Sequence, residues 1–223
     1  MLNTAFFIYF MIDTNRDKGL RQIMIEELRK KGIDNELVLS AMLTMPRHYF
    51  VSSSFYGRAY IDAALPINCG QTISQPFTVA KQTSLLDITP KQKILEIGTG
   101  SGYQAAILKT MGGYVYSIER HRVLYEQTKQ LFANLSLNIA CRLGDGYLGW
   151  TEFAPFDRIL ITCGAPEIPE KLLSQLKIGG ILVAPIGEQE QIMTKVVRVS
   201  ESEWETSLHG HCSFVPMLKN VNY

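Results

Sequence analysis

The chain has 223 residues, 46% of them hydrophobic and 19% charged, with a formal net charge of +1 at pH 7. These values suit one globular domain, or a domain with an extension, that buries a sizeable core. Near-neutrality gives no electrostatic reason to expect nucleic acid as a partner, and the short basic clusters Lys30-Lys31 and Arg120-His121-Arg122 read as solvated helix faces.

The start, Ala5 to Ile12, is apolar but too short to span a bilayer, and it lacks the basic flank and cleavage site of a signal peptide. Residues 1–15 therefore read as an N-terminal arm, disordered or a start-site artefact, with Met11 as an alternative initiator. Arg16 to Lys31 is predicted as an amphipathic helix with Leu20, Ile23, Met24 and Leu28 on one face, ended by Gly32. Asp34 is the expected N-cap of a second helix that Pro46 limits. From Arg47 to Gly70 the pattern breaks up, and Tyr49, Phe50, Phe55, Tyr56 and Tyr60 are expected to pin this stretch to the body. Pro76 fits the first turn of a helix running to Leu86. Ser74, at or next to its N-cap, has two readings: a simple cap, or a hydroxyl beside unpaired N–H groups that would hold a carboxylate.

Ile94 to Ile97 is a short apolar strand, followed at once by Gly98-Thr99-Gly100-Ser101-Gly102 and a breaker-free helical run from Tyr103. Strand, glycine turn and helix form the entry to a doubly wound sheet, whose ligands sit beyond the strand ends. A second strand, Tyr114 to Ile118, ends at Glu119, about 20 residues after Gly98, the separation at which such folds place an acid on a ribose diol. The alternative for Glu119 is an exposed acid opening the helix Arg120 to Leu135. Further strands are predicted at Ile139–Leu143 (followed by Gly144-Asp145-Gly146), Phe156–Thr162 and Ile181–Pro185. A helix is expected over Pro169–Leu176, and a terminal antiparallel pair over Ile192–Val199 and Trp204–Val215. The expected fold is α/β: a mostly parallel, doubly wound Rossmann-like sheet, a C-terminal antiparallel hairpin and a helical N-terminal extension.

The cysteines Cys69, Cys141, Cys163 and Cys212 are widely spaced with no C-x-x-C pair, which argues against a zinc ribbon or redox motif and favours a reducing cytoplasm. His209, His211 and Cys212 lack a fourth ligand at matching spacing, so no metal is expected.

The glycine pattern discriminates between cofactors. A dinucleotide turn reads G-x-G-x-x-G, but here Tyr103 stands at the third glycine position and Glu96 precedes the turn. The sequence Glu96-x-Gly98-x-Gly100-x-Gly102 resembles the first motif of class I S-adenosylmethionine-dependent methyltransferases. Within that class, Leu65-Pro66-Ile67, Gly70-Gln71-Thr72-Ile73-Ser74-Gln75-Pro76, Asp145-Gly146, Ala165-Pro166-Glu167-Ile168-Pro169 and Phe214-Val215-Pro216 resemble protein-L-isoaspartate O-methyltransferases. The resemblance spans roughly residues 16 to 218. It departs at Asn68-Cys69, where Gly-Tyr is commoner among bacterial relatives, and at Cys163, where alanine is commoner.

The resemblance implies an enzyme that methylates the free α-carboxylate of L-isoaspartyl residues in aged proteins. The ester then closes to a succinimide, and repeated cycles return normal aspartate. It implies S-adenosylmethionine as cofactor, with Thr72, Ile73, Glu96, Gly98, Gly100, Gly102, Glu119, Asp145 and Gly146 on the cofactor side. Ser74 is implied to orient the substrate carboxylate, with Leu65 and Val215 beside the substrate. Residues 16–223 then form a single methyltransferase domain, with a helical and substrate-loop region over 16–90 and the cofactor-binding sheet over 91–223. The partners expected are isoaspartyl proteins and peptides, without nucleic acid or membrane. A monomer is expected, a dimer being the alternative; methylation of another carboxylate or small molecule on the same scaffold is the competing activity.

Overall fold

The computed structural model of the protein describes residues 12–222, so the expected N-terminal arm lies, up to Met11, outside the described residues. Helix α1 (Asn15–Lys30) starts one residue earlier than the apolar periodicity suggests, because Thr14 and Asp17 close a reciprocal capping box. Asp17 also accepts from the Tyr56 hydroxyl at 2.8 Å. Arg21, buried on the same helix, forks onto Asp13 and reaches the Tyr60 hydroxyl at 3.0 Å, which in turn meets His48 Nδ1 at 2.6 Å. Polar contacts thus join the aromatic side chains in pinning the irregular stretch onto α1. Helix α2 (Glu36–Thr44) is capped by Asn35, one residue after the expected Asp34.

The substrate-loop region holds a minimal antiparallel pair, β1 (Leu65–Pro66) and β2 (Thr72–Ile73), followed by α3 (Pro76–Leu86). Then come β3 (Lys93–Ile97), α4 (Tyr103–Thr110), β4 (Tyr114–Glu119), α5 (Arg122–Asn134), β5 (Ala140–Leu143), β6 (Phe156–Ile161), α6 (Glu170–Ser174), β7 (Leu176–Ile186), β8 (Gln191–Arg198) and β9 (Trp204–Cys212). The seven-stranded sheet has the order β5-β4-β3-β6-β7-β8-β9. Strands β3 to β7 pair in parallel, while β8 and β9 join as the expected antiparallel hairpin.

Side chains alternate between two cores, as strand geometry requires. Ile94, Leu160, Ile181 and Val183 face the cluster beneath α1 to α4, whereas Leu95, Ile159, Ile161, Leu182 and Ala184 face the one that includes Leu172 of α6. The chain moves outward from β3 to β5, then crosses back to β6 on the other side of β3. A cleft is expected where that reversal occurs, beyond the carboxyl ends of β3 and β6.

Two strand boundaries differ by three residues or more from the sequence expectation. Strand β7 begins at Leu176 instead of Ile181: Phe156 pairs with Leu176 and Arg158 with Ile181, so Lys177 to Gly180 form an irregular bulge rather than a free turn. Strand β9 stops at Cys212 because the chain then leaves the sheet edge and crosses toward the site. The Gly164 amide donates to Val215 O at 2.8 Å, and the Met217 amide donates to Gly164 O at 2.7 Å. The segment goes on to bridge His121 through Asn222.

Candidate active site

The turn after β3 is fixed from below. The amides of Gly98 and Thr99 donate to Ile118 O, the Thr162 hydroxyl donates to Gly98 O at 2.7 Å, and the Thr128 hydroxyl donates to Gly100 O at 2.8 Å. Gly98 has φ +96°, and a Cβ there would stand 2.6 Å from Thr162 Oγ1, so only glycine lets the turn lie on β6. Gly102, with φ +86°, lets α4 dock where a Cβ would strike Thr128 and the Phe132 ring. Gly98 and Gly100 face the cleft. Gly102 is outside its wall and serves helix packing.

Glu96 also lies beneath the cleft. Its fully buried carboxyl accepts a short hydrogen bond from the Ser117 hydroxyl, which meets the Thr99 hydroxyl at 2.6 Å. Burial pushes the Glu96 pKa up to about 8, against the lowering pull of the Ser117 hydrogen bond. Its position makes it a tie between the turn and β4 rather than a group in the wall.

Glu119 ends β4 in the cleft wall. One carboxylate oxygen accepts the Gly100 amide at 2.8 Å and the other the His121 amide at 2.9 Å. The acid therefore binds the glycine turn to the start of α5 and is no exposed helix opener. A carboxylate offers about four lone-pair sites, so both oxygens keep acceptor capacity toward the cleft. Asp145 stands outside the wall, although Gly146 lies in it. Its two oxygens accept the amides of Tyr147 and Asn220, each at 2.9 Å, so it anchors the segment crossing from β9.

Thr72, Ile73 and Ser74 all line the cleft on the opposite side. Ser74 is not a helix cap. Gln75 holds the cap position of α3 without a side-chain bond, and the Phe77 amide is taken at 2.8 Å by Asp62, fifteen residues upstream. The Ser74 carbonyl accepts from Arg47 at 2.8 Å, while its hydroxyl has no partner among the described residues. Leu65 is 1% exposed, pairs with Ile73 and is absent from the wall, so it supports the loop and does not face a substrate. Val215 does line the cleft.

Sequence reasoning missed several wall residues: Gln82, Gln104, Thr162, Met217 and Leu218. Gln82 donates to Gln104 at 2.6 Å and its own carbonyl oxygen is buried without a partner. Helical spacing on α3 and α4 carried the signal for this pair, but nothing local marked the facing. Cys163 lines the cleft too, and burial pushes its thiol up to about 12. His209, His211 and Cys212 form no group that could hold a metal among the described residues.

A reversal of strand order at a glycine turn, with an acid ending the next strand, is the geometry of a nucleotide-type ligand site at the switch point of a doubly wound sheet. The chain belongs to the protein-L-isoaspartate(D-aspartate) O-methyltransferase family, whose model matches residues 19–222. It is 49% identical over 213 residues to the protein-L-isoaspartate O-methyltransferase of Flavobacterium psychrophilum, covering 95% of this chain and all of that one. The corresponding protein of Chlorobium limicola is 52% identical over 201 residues, covering 89% of this chain and 92% of the relative. Among solved structures, a protein-L-isoaspartate O-methyltransferase superposes with a TM-score of 0.83 at 29% identity, covering 90% of this chain and 67% of that chain. A Plasmodium falciparum protein described as the same enzyme, solved with S-adenosyl-L-homocysteine, gives 0.79 at 25% identity, covering 92% and 99%.

Proposed function

We propose that the chain methylates the free α-carboxylate of L-isoaspartyl residues in damaged proteins and peptides, with S-adenosylmethionine as methyl donor. The observation that carries this reading is Ser74, which lines the same cleft as Gly98 and Gly100 and whose hydroxyl has no partner among the described residues. The residues present suit the cofactor. Glu119 has spare acceptor capacity for a vicinal diol, and the orphaned Gln82 carbonyl oxygen suits the ammonium of a methionine tail. Gly98 and Gly100 allow close backbone approach, and Gly146 closes the floor, since a Cβ there would meet Ile97 at 2.3 Å.

S-Adenosylmethionine, when bound, supplies a methyl group made electrophilic by its sulfonium charge. The chain has to hold the acceptor, orient it and keep water away. A carboxylate is already ionised near neutral pH, so no general base is required. Ser74 donates to one carboxylate oxygen and leaves the other aimed at the methyl. Ile73, Val79, Ile97, Val215 and Met217 supply an apolar wall that excludes competing water.

The protein is taken to act as a monomer, a dimer being the alternative. No helix among the described residues is long and apolar enough to cross a membrane. Four unpaired thiols support the cytoplasm as the setting. The test is methyl transfer from labelled cofactor to an isoaspartyl peptide and to its normal aspartyl twin. Labelling of the first alone is expected; equal labelling would overturn the assignment.

A further inference from the structure

Among the described residues, Arg47 is the largest fully buried side chain, at 0% exposure. Its guanidinium lies behind the Ser74 loop. Nε donates to Ala59 O at 2.9 Å, Nη2 donates to Ser74 O at 2.8 Å, and Nη1 has no partner. The group also lies over the Tyr103 ring, 4.9 Å from its centre, and both Tyr103 and Ser74 line the cleft. No carboxylate pairs with Arg47 among the described residues. The acid nearest in effect, Asp62, is occupied by the Lys31 ammonium and the Phe77 amide. Burial lowers the Arg47 pKa to about 10, which still leaves it charged near neutral pH.

A buried charge without a counter-ion is unfavourable unless an anion completes it. Two backbone carbonyls satisfy hydrogen bonds here but carry no net charge, and an uncharged amide side chain would serve a purely structural purpose at lower cost. In the isoaspartyl reading, the anion held by the Ser74 hydroxyl is the substrate carboxylate. We propose that Arg47 is the positioning residue of the acceptor site: it fixes the Ser74 carbonyl, and its otherwise unbalanced charge favours the isoaspartyl carboxylate over neutral groups. This inference rests on the isoaspartyl reading and assigns the source of its anion selectivity. Arg47 acts through Ser74 and through its field, without touching the reacting atoms.

The test compares binding of an isoaspartyl peptide with its α-carboxamide twin, by calorimetry, in the presence of S-adenosyl-L-homocysteine. Wild-type protein must first methylate the isoaspartyl peptide; failure there overturns the functional reading and this inference with it, whereas the outcomes below concern the inference alone. In Arg47→Gln the preference for carboxylate over amide is expected to fall about tenfold or more, the scale of one partly screened charge interaction, with S-adenosyl-L-homocysteine affinity kept within about threefold. Arg47→Lys, which keeps the charge but cannot bridge both carbonyls, should hold the preference within about threefold while kcat drops. An unchanged preference in Arg47→Gln overturns the proposal, as does an equal loss of cofactor affinity. If Arg47→Gln does not fold, Arg47→Lys decides: a retained preference supports the charge role, and a lost one overturns it.

Discussion

At the scale of single residues, the proposed function assigns Ser74 to the acceptor and Glu119 to the cofactor. Ser74 has a free hydroxyl on a backbone already held by Arg47, so its removal should change chemistry and spare the fold. Ser74→Ala is expected to lower kcat/KM by about 10- to 100-fold, the worth of one hydrogen bond to a charged group, with S-adenosyl-L-homocysteine affinity unchanged in a binding titration. Glu119 is different because its two oxygens also hold the Gly100 and His121 amides. Glu119→Ala should weaken S-adenosyl-L-homocysteine by at least about tenfold in calorimetry, through lost ribose contacts and a loosened turn together. Both residues were legible in the sequence, Ser74 from its loop and Glu119 from its distance after the glycines. Arg47, Asp62 and the tail beyond Pro216 were not. Their contacts join segments 27, 15 and 75 residues apart, and no local period records such a separation.

At the scale of elements, two junctions decide whether those residues are presented correctly. Helix α3 begins without its own side-chain cap, and Asp62 provides the acceptor from outside. Asp62→Ala leaves the Phe77 amide unpaired at the base of the Ser74 loop. We expect a loss of about 1–2 kcal/mol in urea unfolding, with turnover falling more than cofactor affinity. The second junction is Glu96 to Ser117 to Thr99, which ties β3 and β4 under the turn. With a folded pKa of about 8, above the ordinary carboxyl value, the native protein retains a proton that the unfolded chain releases. This contribution is complete below the unfolded pKa near 4.5 and is lost as pH rises toward 8. Glu96→Gln should flatten the decline in stability between pH 5.5 and 8.5 measured by chemical denaturation. The strand pattern was readable because β3 to β7 carry dense apolar runs. The start of β7 was not, because Gly179-Gly180 reads as a turn, and only pairing with β6 absorbs it into the sheet.

At the scale of the whole molecule, the parallel half of the sheet supplies Gly98, Gly100 and Glu119 to the cleft, and the N-terminal region supplies Thr72, Ile73 and Ser74. The segment after β9 returns across the strand ends to join them, through Val215 and Met217 at Gly164 and Asn220 at Asp145. The site is therefore assembled from both ends of the described chain and depends on the complete fold. The same closure surrounds Cys163. A thiol in the wall of a cleft meant for an electrophilic methyl donor is a rival acceptor, because sulfur in its anionic form is a far better nucleophile than a carboxylate. Burial pushes that thiol up to about 12, so at neutral pH almost none of it is thiolate, the form that reacts. Cys163 is therefore expected to stay unmethylated when the protein is incubated with labelled S-adenosylmethionine, as mass analysis of its peptides would check.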